Sequence, residues 1–306
     1  MLAGRARPRA VVIVNPNAGS ISKANWHGVI TKLGERFDVE AHATTGRNVA
    51  LSIASEAART GAPVVVAVGG DGVVNEVVNG VAGTSACLGI VAGGTMNVFA
   101  RSLGLPSSPL EAADHLLGPA DLRPRTVTLG RMDDRYFTFA AGCGFDAEAA
   151  ERVERDVPSK RRFGQAFFYW SAFRVLASAY RHRAPYMTLS GGFGEVGTAM
   201  VIASNAGPYA WLAGRRVEVA PGVRLDGGVD VFALRRMRLE SLPMYAYRSV
   251  VSGDLASSPD AFYAADLDGF EVTASAPFSR HVDGEPVAPS TSARFSVAHK
   301  ALQVLA

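Results

Sequence analysis

Over residues 10–105, short apolar runs alternate with segments whose apolar residues recur at helical spacing. Val64–Val68 is made almost entirely of valine, as expected of a strand buried on both faces of a parallel sheet. Arg47–Arg59 places its apolar residues on one face of a helix. The pattern also predicts strands at Ala10–Val14, Asp38–Ala43 and Leu88–Val91, and helices at Ser22–Leu33, at Val73–Gly80 and from Thr95 onward. Such strand–loop–helix repetition predicts a Rossmann-like parallel sheet with helices on its faces.

Beyond residue 125 the pattern changes to short strands separated by turn residues. Helical spacing returns only in Phe163–Tyr180 and Leu239–Ser252. The predicted strands are Arg125–Gly130, Arg135–Ala140, Tyr186–Ser190, Ala199–Ser204, Gly228–Leu234, Gly269–Thr273 and Ala293–Ala298. We therefore predict an α/β domain over residues 1–125 and a β-sandwich domain over 126–295, with the tail 296–306 packing back on the first.

Three glycine-containing loops follow predicted strands of the first domain, Asn15–Gly19, Gly69–Gly72 and Gly93–Asn97. Loops at the carboxyl ends of parallel strands gather in one crevice, where α/β proteins bind ligands. Glycine allows backbone N–H groups to approach a phosphate closely, and a following helix N-terminus favours an anion. Together the loops indicate a polyphosphate site, although a Gly-Gly pair after a strand is, taken alone, usually just a turn.

Asp71 lies within the second loop, and its negative charge would repel a phosphate unless a cation stands between them. It therefore indicates Mg²⁺, held directly or through water. The alternative is that Asp71 is only the N-cap of the helix predicted at Val73–Gly80. A Walker-type G-x-x-x-x-G-K-[ST] loop is absent from the sequence, and so is a G-x-G-x-x-G motif after a strand.

Composition narrows the class of protein. The net charge of +3 and pI near 9.0 arise from scattered Lys and Arg residues, which argues against a dedicated nucleic-acid binder. Two cysteines, Cys87 and Cys143, cannot build a disulfide framework, so a reducing cytoplasm is expected. The uncharged stretches Val77–Ala100 and Val196–Gly214 carry too many glycine and polar residues to be membrane spans.

The motifs in their order along the chain resemble the diacylglycerol kinase catalytic-domain family, bacterial lipid kinases related to sphingosine kinases. The segments that carry the resemblance are VNPNAGS (14–20), VGGDGVVNEVVNG (68–80), GGTMNVFARSLGLP (93–106), AGCGFDAE (141–148), RLDGGVDVF (224–232) and VDGEP (282–286). NAD kinases and phosphofructokinases share GGDG alone, so the ordered set of segments carries the specificity. The resemblance covers nearly the whole chain.

The resemblance implies ATP and Mg²⁺ as cofactors, Asp71 as a catalytic residue and Glu285 as the catalytic base. A carboxylate can take the proton of an acceptor hydroxyl as phosphoryl transfer proceeds. The alternative for Asp283-Gly284-Glu285 is an ordinary hairpin turn. The implied nucleotide-binding residues are Asn15, Pro16, Asn17, Ala18, Gly19, Thr44, Gly70, Asp71, Gly72, Val73, Val74, Asn75, Glu76, Gly94, Thr95 and Asn97.

Several positions depart from the family's pattern. Val73 stands in place of Thr, Arg224 in place of Lys, and Val98, Thr128 and Gly227 in place of acids. Fewer carboxylates are thus left to organise magnesium. Two hypotheses are left open. Either catalysis proceeds with fewer protein ligands around the magnesium ion, or the protein is a catalytically impaired nucleotide- or lipid-binding protein. The region of Arg224 and Asp226, with Asp230, is a further candidate for a structural cation.

Aromatic residues flanked by cations in Arg152–Arg183 suit a helix at an anionic membrane surface. The alternative is a helix that buries the same aromatic residues in the β-rich domain. We expect a cytoplasmic, peripherally membrane-associated lipid kinase that phosphorylates diacylglycerol or a similar lipid. A sphingoid base, a glycolipid or another alcohol is the alternative acceptor, and a homodimer is left open.

Overall fold

In the computed structural model, the described residues are 7–16, 23–118, 124–155, 185–212, 215–236 and 239–306. They form two compact units, residues 1–127 with 300–306 and residues 128–299. The predictions for the segment Asn17–Gly19 and for the helix Phe163–Tyr180 fall outside the described residues.

The first unit is built on a parallel sheet. Its strands are β1 (Arg9–Val14), β2 (Asp38–Ala43), β3 (Val64–Gly69) and β4 (Cys87–Ala92). They are ordered β4-β3-β1-β2, and every neighbouring pair is parallel. The end of β16 (Glu285–Val304) pairs in parallel with β4 through Gln303 and Val304. The valines of β3 are buried along its whole length, because helices cover the sheet.

The helices of the first unit are α1 (Lys23–Leu33), α2 (Val49–Arg59), α3 (Asp71–Val81), α4 (Val98–Ser102) and α5 (Pro109–Leu116). Val29 and Leu33 of α1 pack with Ala112 and Leu116 of α5 in the core beside β1 and β3. Helix α4 begins three residues later than the Thr95 start that spacing predicts, because Asn97 adopts a left-handed backbone conformation with φ 48°.

The second unit is rich in antiparallel strands. They are β5 (Arg125–Met132), β6 (Arg135–Phe137), β7 (Ala140–Gly144), β8 (Met187–Gly191), β9 (Gly194–Thr198), β10 (Met200–Ser204), β11 (Ala210–Leu212), β12 (Arg215–Val217), β13 (Val229–Leu234), β14 (Ala261–Leu267), β15 (Gly269–Val282) and β16. Its helices are α6 (Phe145–Arg155) and α7 (Leu242–Tyr247), with 3₁₀ turns at Leu239–Ser241 and Leu255–Ser257 and a π-helical turn at Arg248–Ser252.

Strand β15 pairs with two groups of strands. Residues 271–274 pair with β8, whereas residues 280–282 pair with β7 in the run β14-β13-β10-β7-β15-β16. Phe270, Phe295 and Phe137 meet in the core that both groups share, and the first two rings stack with centroids 4.5 Å apart. The predicted fold class, a parallel sheet with helices followed by a second sheet-rich domain, is confirmed.

Two short strands predicted at Gly269–Thr273 and Ala293–Ala298 belong to one long hairpin of β15 and β16. Pro277 lies within β15 where the register shifts between Thr273 and Phe278, a position that tolerates proline. Across the described part of the chain, no helix is both long enough and apolar enough to span a membrane.

Candidate active site

The loops after β3 and β4 lie at the same edge of the parallel sheet as Asn15 and Pro16, the described residues after β1, since β1, β3 and β4 are parallel neighbours. The Asn15 amide donates to the Val68 carbonyl at 2.9 Å, and the Gly93 amide donates to the Gly69 carbonyl at 2.8 Å. Thr44, at the end of β2, is tied to the same edge by its amide, which donates to the Val14 carbonyl at 2.8 Å. Pro16 directly follows Asn15 at this edge.

Gly70 and Gly94 approach each other so closely that only glycine fits. A Cβ added to Gly94 would lie 2.6 Å from the Gly70 Cα. Asn97 closes the third loop from its other side: its Oδ1 accepts from the Gly94 amide at 2.9 Å, and its Nδ2 donates to the Gly94 carbonyl at 2.8 Å. The loops therefore present backbone, without side-chain bulk, at the edge where a ligand of this fold binds.

Asp71 occupies the first turn of α3, and Gly70, in an extended conformation, is the N-cap. The alternative that Asp71 is the N-cap is therefore wrong, because the helix begins two residues earlier than Val73. The first amides of a helix have no partner within it, and the N-cap Gly70 has no side chain that could cap them. An anion is favoured at such an end, so the residues present fit a polyphosphate. Gly72 and Val73 are partly exposed beside them, and Thr95 is exposed.

Glu76 directs its carboxylate to the start of the neighbouring helix α2. Oε1 accepts from the Asn48 amide at 2.8 Å, and Oε2 accepts from the amides of Ala50 at 3.0 Å and Leu51 at 3.4 Å. The side chain is buried, as are Val74 and Asn75. Glu76 thus positions α2, which shapes the loop edge indirectly. The direct nucleotide-binding role that the resemblance implies for these three positions stays a prediction.

In the second unit, Asp283 and Gly284 form the turn between β15 and β16. Both have left-handed backbones, with φ 48° and 78°, as a two-residue type I′ hairpin requires. The hairpin interpretation of the backbone is correct, and Glu285 opens β16 directly after it. Asp283 is buried and accepts from Thr138 N (2.8 Å), Thr138 Oγ1 (2.8 Å), Phe139 N (3.0 Å) and Ala140 N (3.1 Å). Burial raises the pKa of its carboxyl, and these four hydrogen bonds oppose the rise.

Glu285 forms an ion pair with Arg135, whose Nη2 lies 2.8 Å from Oε2. Both side chains are about a quarter to a third exposed. Because both side chains are mostly buried, the guanidinium fixes the direction of the carboxylate. No sequence motif indicates Arg135, which lies 150 positions away.

The candidate cation region around Asp226 contains a cationic side chain, and a bound metal there stays a prediction. The Arg224 guanidinium lies 3.7 Å from an Asp226 oxygen and 3.5 Å from an Asp266 oxygen, so it supplies the positive charge there. Asp230 is buried and accepts from the Tyr263 hydroxyl and from the Asp266 amide. Among the described residues, no group of three His, Cys, Asp or Glu side chains could hold a metal ion.

The positions that lack the family's acids are enclosed. Val98 and Thr128 are buried, and a Cβ on Gly227 would lie 2.9 Å from an Asp266 oxygen. Of the residues predicted to organise magnesium, Asp71 remains. Mg²⁺ is commonly held by one or two carboxylates together with substrate phosphates and water, so this set fits the ion only with phosphates as co-ligands.

Residues 9–131 match the family model described as the diacylglycerol kinase catalytic domain. A diacylglycerol kinase of Bacillus subtilis is 33% identical over 241 residues, which cover 76% of this chain and 75% of that protein. One from Staphylococcus saprophyticus is 34% identical over 176 residues, or 56% of this chain and 55% of that protein. A crystal structure of a diacylglycerol kinase from Bacillus anthracis superposes with a TM-score of 0.75 at 20% identity, covering 97% of this chain and 96% of that one.

Proposed function

The chain belongs to the diacylglycerol kinase family, a family of lipid kinases, and on this premise we propose that it transfers the γ-phosphoryl group of ATP to the hydroxyl of diacylglycerol or a similar membrane lipid. The observation that carries the proposal is the meeting, at one sheet edge, of the loops after β3 and β4 with Asn15 and Pro16, which follow β1. There Gly70 and Gly94 let the two loops approach each other closely beside the start of α3. An anionic phosphate donor is favoured at such an edge, where helix N-termini follow strand ends.

In this proposal the loop residues bind the phosphates through backbone N–H groups, and Asn97 keeps the third loop closed. Asp71 would hold Mg²⁺, directly or through water, and the ion would neutralise charge on the transferring phosphoryl group. The first turn of α3 keeps the Asp71 carboxylate at the loop edge.

Glu285 takes the proton from the acceptor hydroxyl as the oxygen–phosphorus bond forms and the bond to the leaving ADP breaks. Arg135 directs the carboxylate, and the Asp283-Gly284 turn sets where β16 begins. For a carboxylate that acts as the base, a fixed position beside the acceptor hydroxyl matters more than an unusual protein environment. Proximity of the reacting groups supplies much of the rate of phosphoryl transfer.

The acceptor is tested by incubating the protein with γ-labelled ATP and Mg²⁺ on vesicles that carry one candidate each: diacylglycerol, a sphingoid base, a monoglycosyl lipid or a short polyol. The proposal expects labelled phosphatidate from the diacylglycerol vesicles. If the label appears on a different alcohol, the protein is still a kinase, and that alcohol is its acceptor.

A second candidate function is motivated by the enclosed positions Val98, Thr128 and Gly227, where acids are missing. In that case the protein binds nucleotide or lipid without turnover. Saturable ATP binding with no labelled product on any acceptor of the panel would favour it.

A further inference from the structure

Behind the Asp283-Gly284 turn lies a buried polar chain that the proposed mechanism does not use. His281 is 1% exposed and Asp146 is 6% exposed. The imidazole Nε2 of His281 lies 2.5 Å from Oδ2 of Asp146, and the Tyr209 hydroxyl donates to Oδ1 of Asp146 at 2.7 Å. Asp146 belongs to the first turn of α6, where a carboxylate is favoured by the helix dipole.

The second ring nitrogen fixes the tautomer of His281. The backbone N–H of Gly284 points to Nδ1 at 3.2 Å, so Nδ1 acts as the acceptor and carries no proton. Nε2 therefore carries the hydrogen and donates it to Asp146. The resulting chain of hydrogen bonds runs from Gly284 through His281 to Asp146, where it meets the hydroxyl of Tyr209.

The lack of a side chain at Gly142 leaves space for these hydrogen-bonded side chains. Gly142 lies opposite His281 where β7 pairs with β15. A Cβ at Gly142 would lie 2.4 Å from His281 Nε2 and 2.5 Å from Asp146 Oδ2. Burying an imidazole and a carboxylate together costs desolvation, which well-packed apolar residues would avoid. In return, the buried imidazole forms a directional hydrogen bond that holds one defined point of the backbone.

That point is the residue before Glu285. Gly284 as a residue is exposed, but its N–H points inward to the buried His281 in a part-buried hydrogen bond, whose net contribution to stability is modest. It does restrain where the turn sits. The turn is thus held twice, at Asp283 by its bonds to residues 138–140 and at Gly284 by His281.

Resting on the proposed function, we infer that His281, oriented by Asp146 and Tyr209, is a positioning residue that holds the Gly284 backbone so that Glu285 meets the acceptor hydroxyl. His281 does not touch the reacting atoms. Since a displacement of about 1 Å can cost about 100-fold in rate, loosening this anchor lowers kcat while leaving the loops that bind ATP unchanged.

Two substitutions separate the two bonds of His281. In His281→Gln the longer side chain reaches Asp146 and can donate to it, but it offers Gly284 no acceptor at the Nδ1 position. In His281→Asn the amide oxygen takes the place of Nδ1 and accepts from Gly284, while the bond to Asp146 is lost. Thr198→Val is the matched control: it removes buried hydrogen bonds of Thr198 Oγ1 with Met200 and Leu234 in the same unit, away from the turn.

We expect kcat of His281→Gln to fall about 10-fold or more with the KM for ATP within about twofold, kcat of His281→Asn to fall by a clearly smaller factor because its amide oxygen still accepts from Gly284, and kcat of Thr198→Val to stay within about threefold of wild type. Hydrogen exchange of the Gly284 amide, followed by NMR, should be slow in wild type and in His281→Asn and fast in His281→Gln. Equal losses of kcat in the two His281 variants, or fast exchange in wild type, would overturn the inference.

The exchange measurement also separates this inference from the proposed function. If the wild-type protein phosphorylates no alcohol, the proposed function fails and His281 has no role in catalysis. Gly284 exchange then still shows whether His281 anchors the turn. If wild type is active and His281→Gln matches it, the inference alone fails.

Discussion

A single side chain, Glu76, links the GGDG segment to a neighbouring helix, because its carboxylate accepts three amides at the start of α2. Glu76→Gln exchanges one acceptor oxygen for an NH₂ group that faces donors. We expect it to lower the free energy of unfolding by about 1–3 kcal/mol, measured by urea denaturation. Glu56→Gln is the control, since Glu56 forms an exposed ion pair with Arg59, and exposed pairs contribute little to stability. Equal losses in both variants would show that Glu76 does not position α2.

Also at the residue scale, the Tyr263 hydroxyl makes the free energy of unfolding depend on pH. Burial, and then its hydrogen bond to Asp230, raise the pKa of its hydroxyl to about 12. The folded state therefore keeps the proton that an unfolded tyrosine loses near pH 10. The stabilisation is complete below about pH 10 and is lost as the pH rises towards 12.

Tyr263→Phe removes this group, so its destabilising effect should shrink between about pH 9 and about pH 11 in urea denaturation. In native wild type, one of the eight tyrosines should ionise near pH 12 by ultraviolet absorbance, and that step should vanish in the variant. A destabilisation that is constant over this pH range would contradict the placement of Tyr263 against Asp230.

At the scale of elements, the loops after β3 and β4 depend on contact between two glycines. Gly94→Ala sets a Cβ 2.6 Å from the Gly70 Cα, and the backbone must separate to admit it. We expect a loss of about 1–3 kcal/mol in unfolding free energy, as for overpacking, together with weaker ATP binding by calorimetry. Gly46→Ala is the control, since a Cβ there meets nothing within 4 Å. Unchanged ATP affinity in a folded Gly94→Ala protein would remove this loop from the nucleotide site.

Hydrophobic pattern predicted the elements of the first unit well, because a strand buried on both faces leaves a run such as Val64–Val68. It predicted the bounds Asp38–Ala43 as they stand in β2. It missed the full length of β15, which continues through a register shift between Thr273 and Phe278, and it missed α5, which follows Ser108 and begins with Pro109.

The site was predictable only in part, for a related reason. Glycines that permit close approach leave a motif in the sequence, whereas contacts between distant residues do not. The pairing of Arg135 with Glu285 and of Asp146 with His281 arises from strand pairing in the second unit. No local pattern encodes such pairs.

At the scale of the whole molecule, a membrane-bound acceptor requires contact with a lipid surface. The segment Arg152–Arg183, whose aromatic residues are flanked by cations, is proposed for that contact on its sequence alone. Replacing Phe168 and Trp170 with Ser should reduce sedimentation with anionic vesicles while ATP binding persists. Replacing the exposed Tyr247 with Ser is the control. Undiminished vesicle binding by a folded double variant would assign the aromatic residues to the core instead.

The central claim is that Asp71 and Glu285 act on one phosphoryl transfer, and it is tested most directly by the rate of labelled phosphatidate formation from ATP on diacylglycerol vesicles. The account predicts that Glu285→Gln loses about 100- to 10,000-fold in kcat, the range of a general base. Asp71→Asn should lose activity that added Mg²⁺ does not restore, and the exposed Glu195→Gln should match wild type. Wild-type turnover that survives intact in Glu285→Gln would contradict the account.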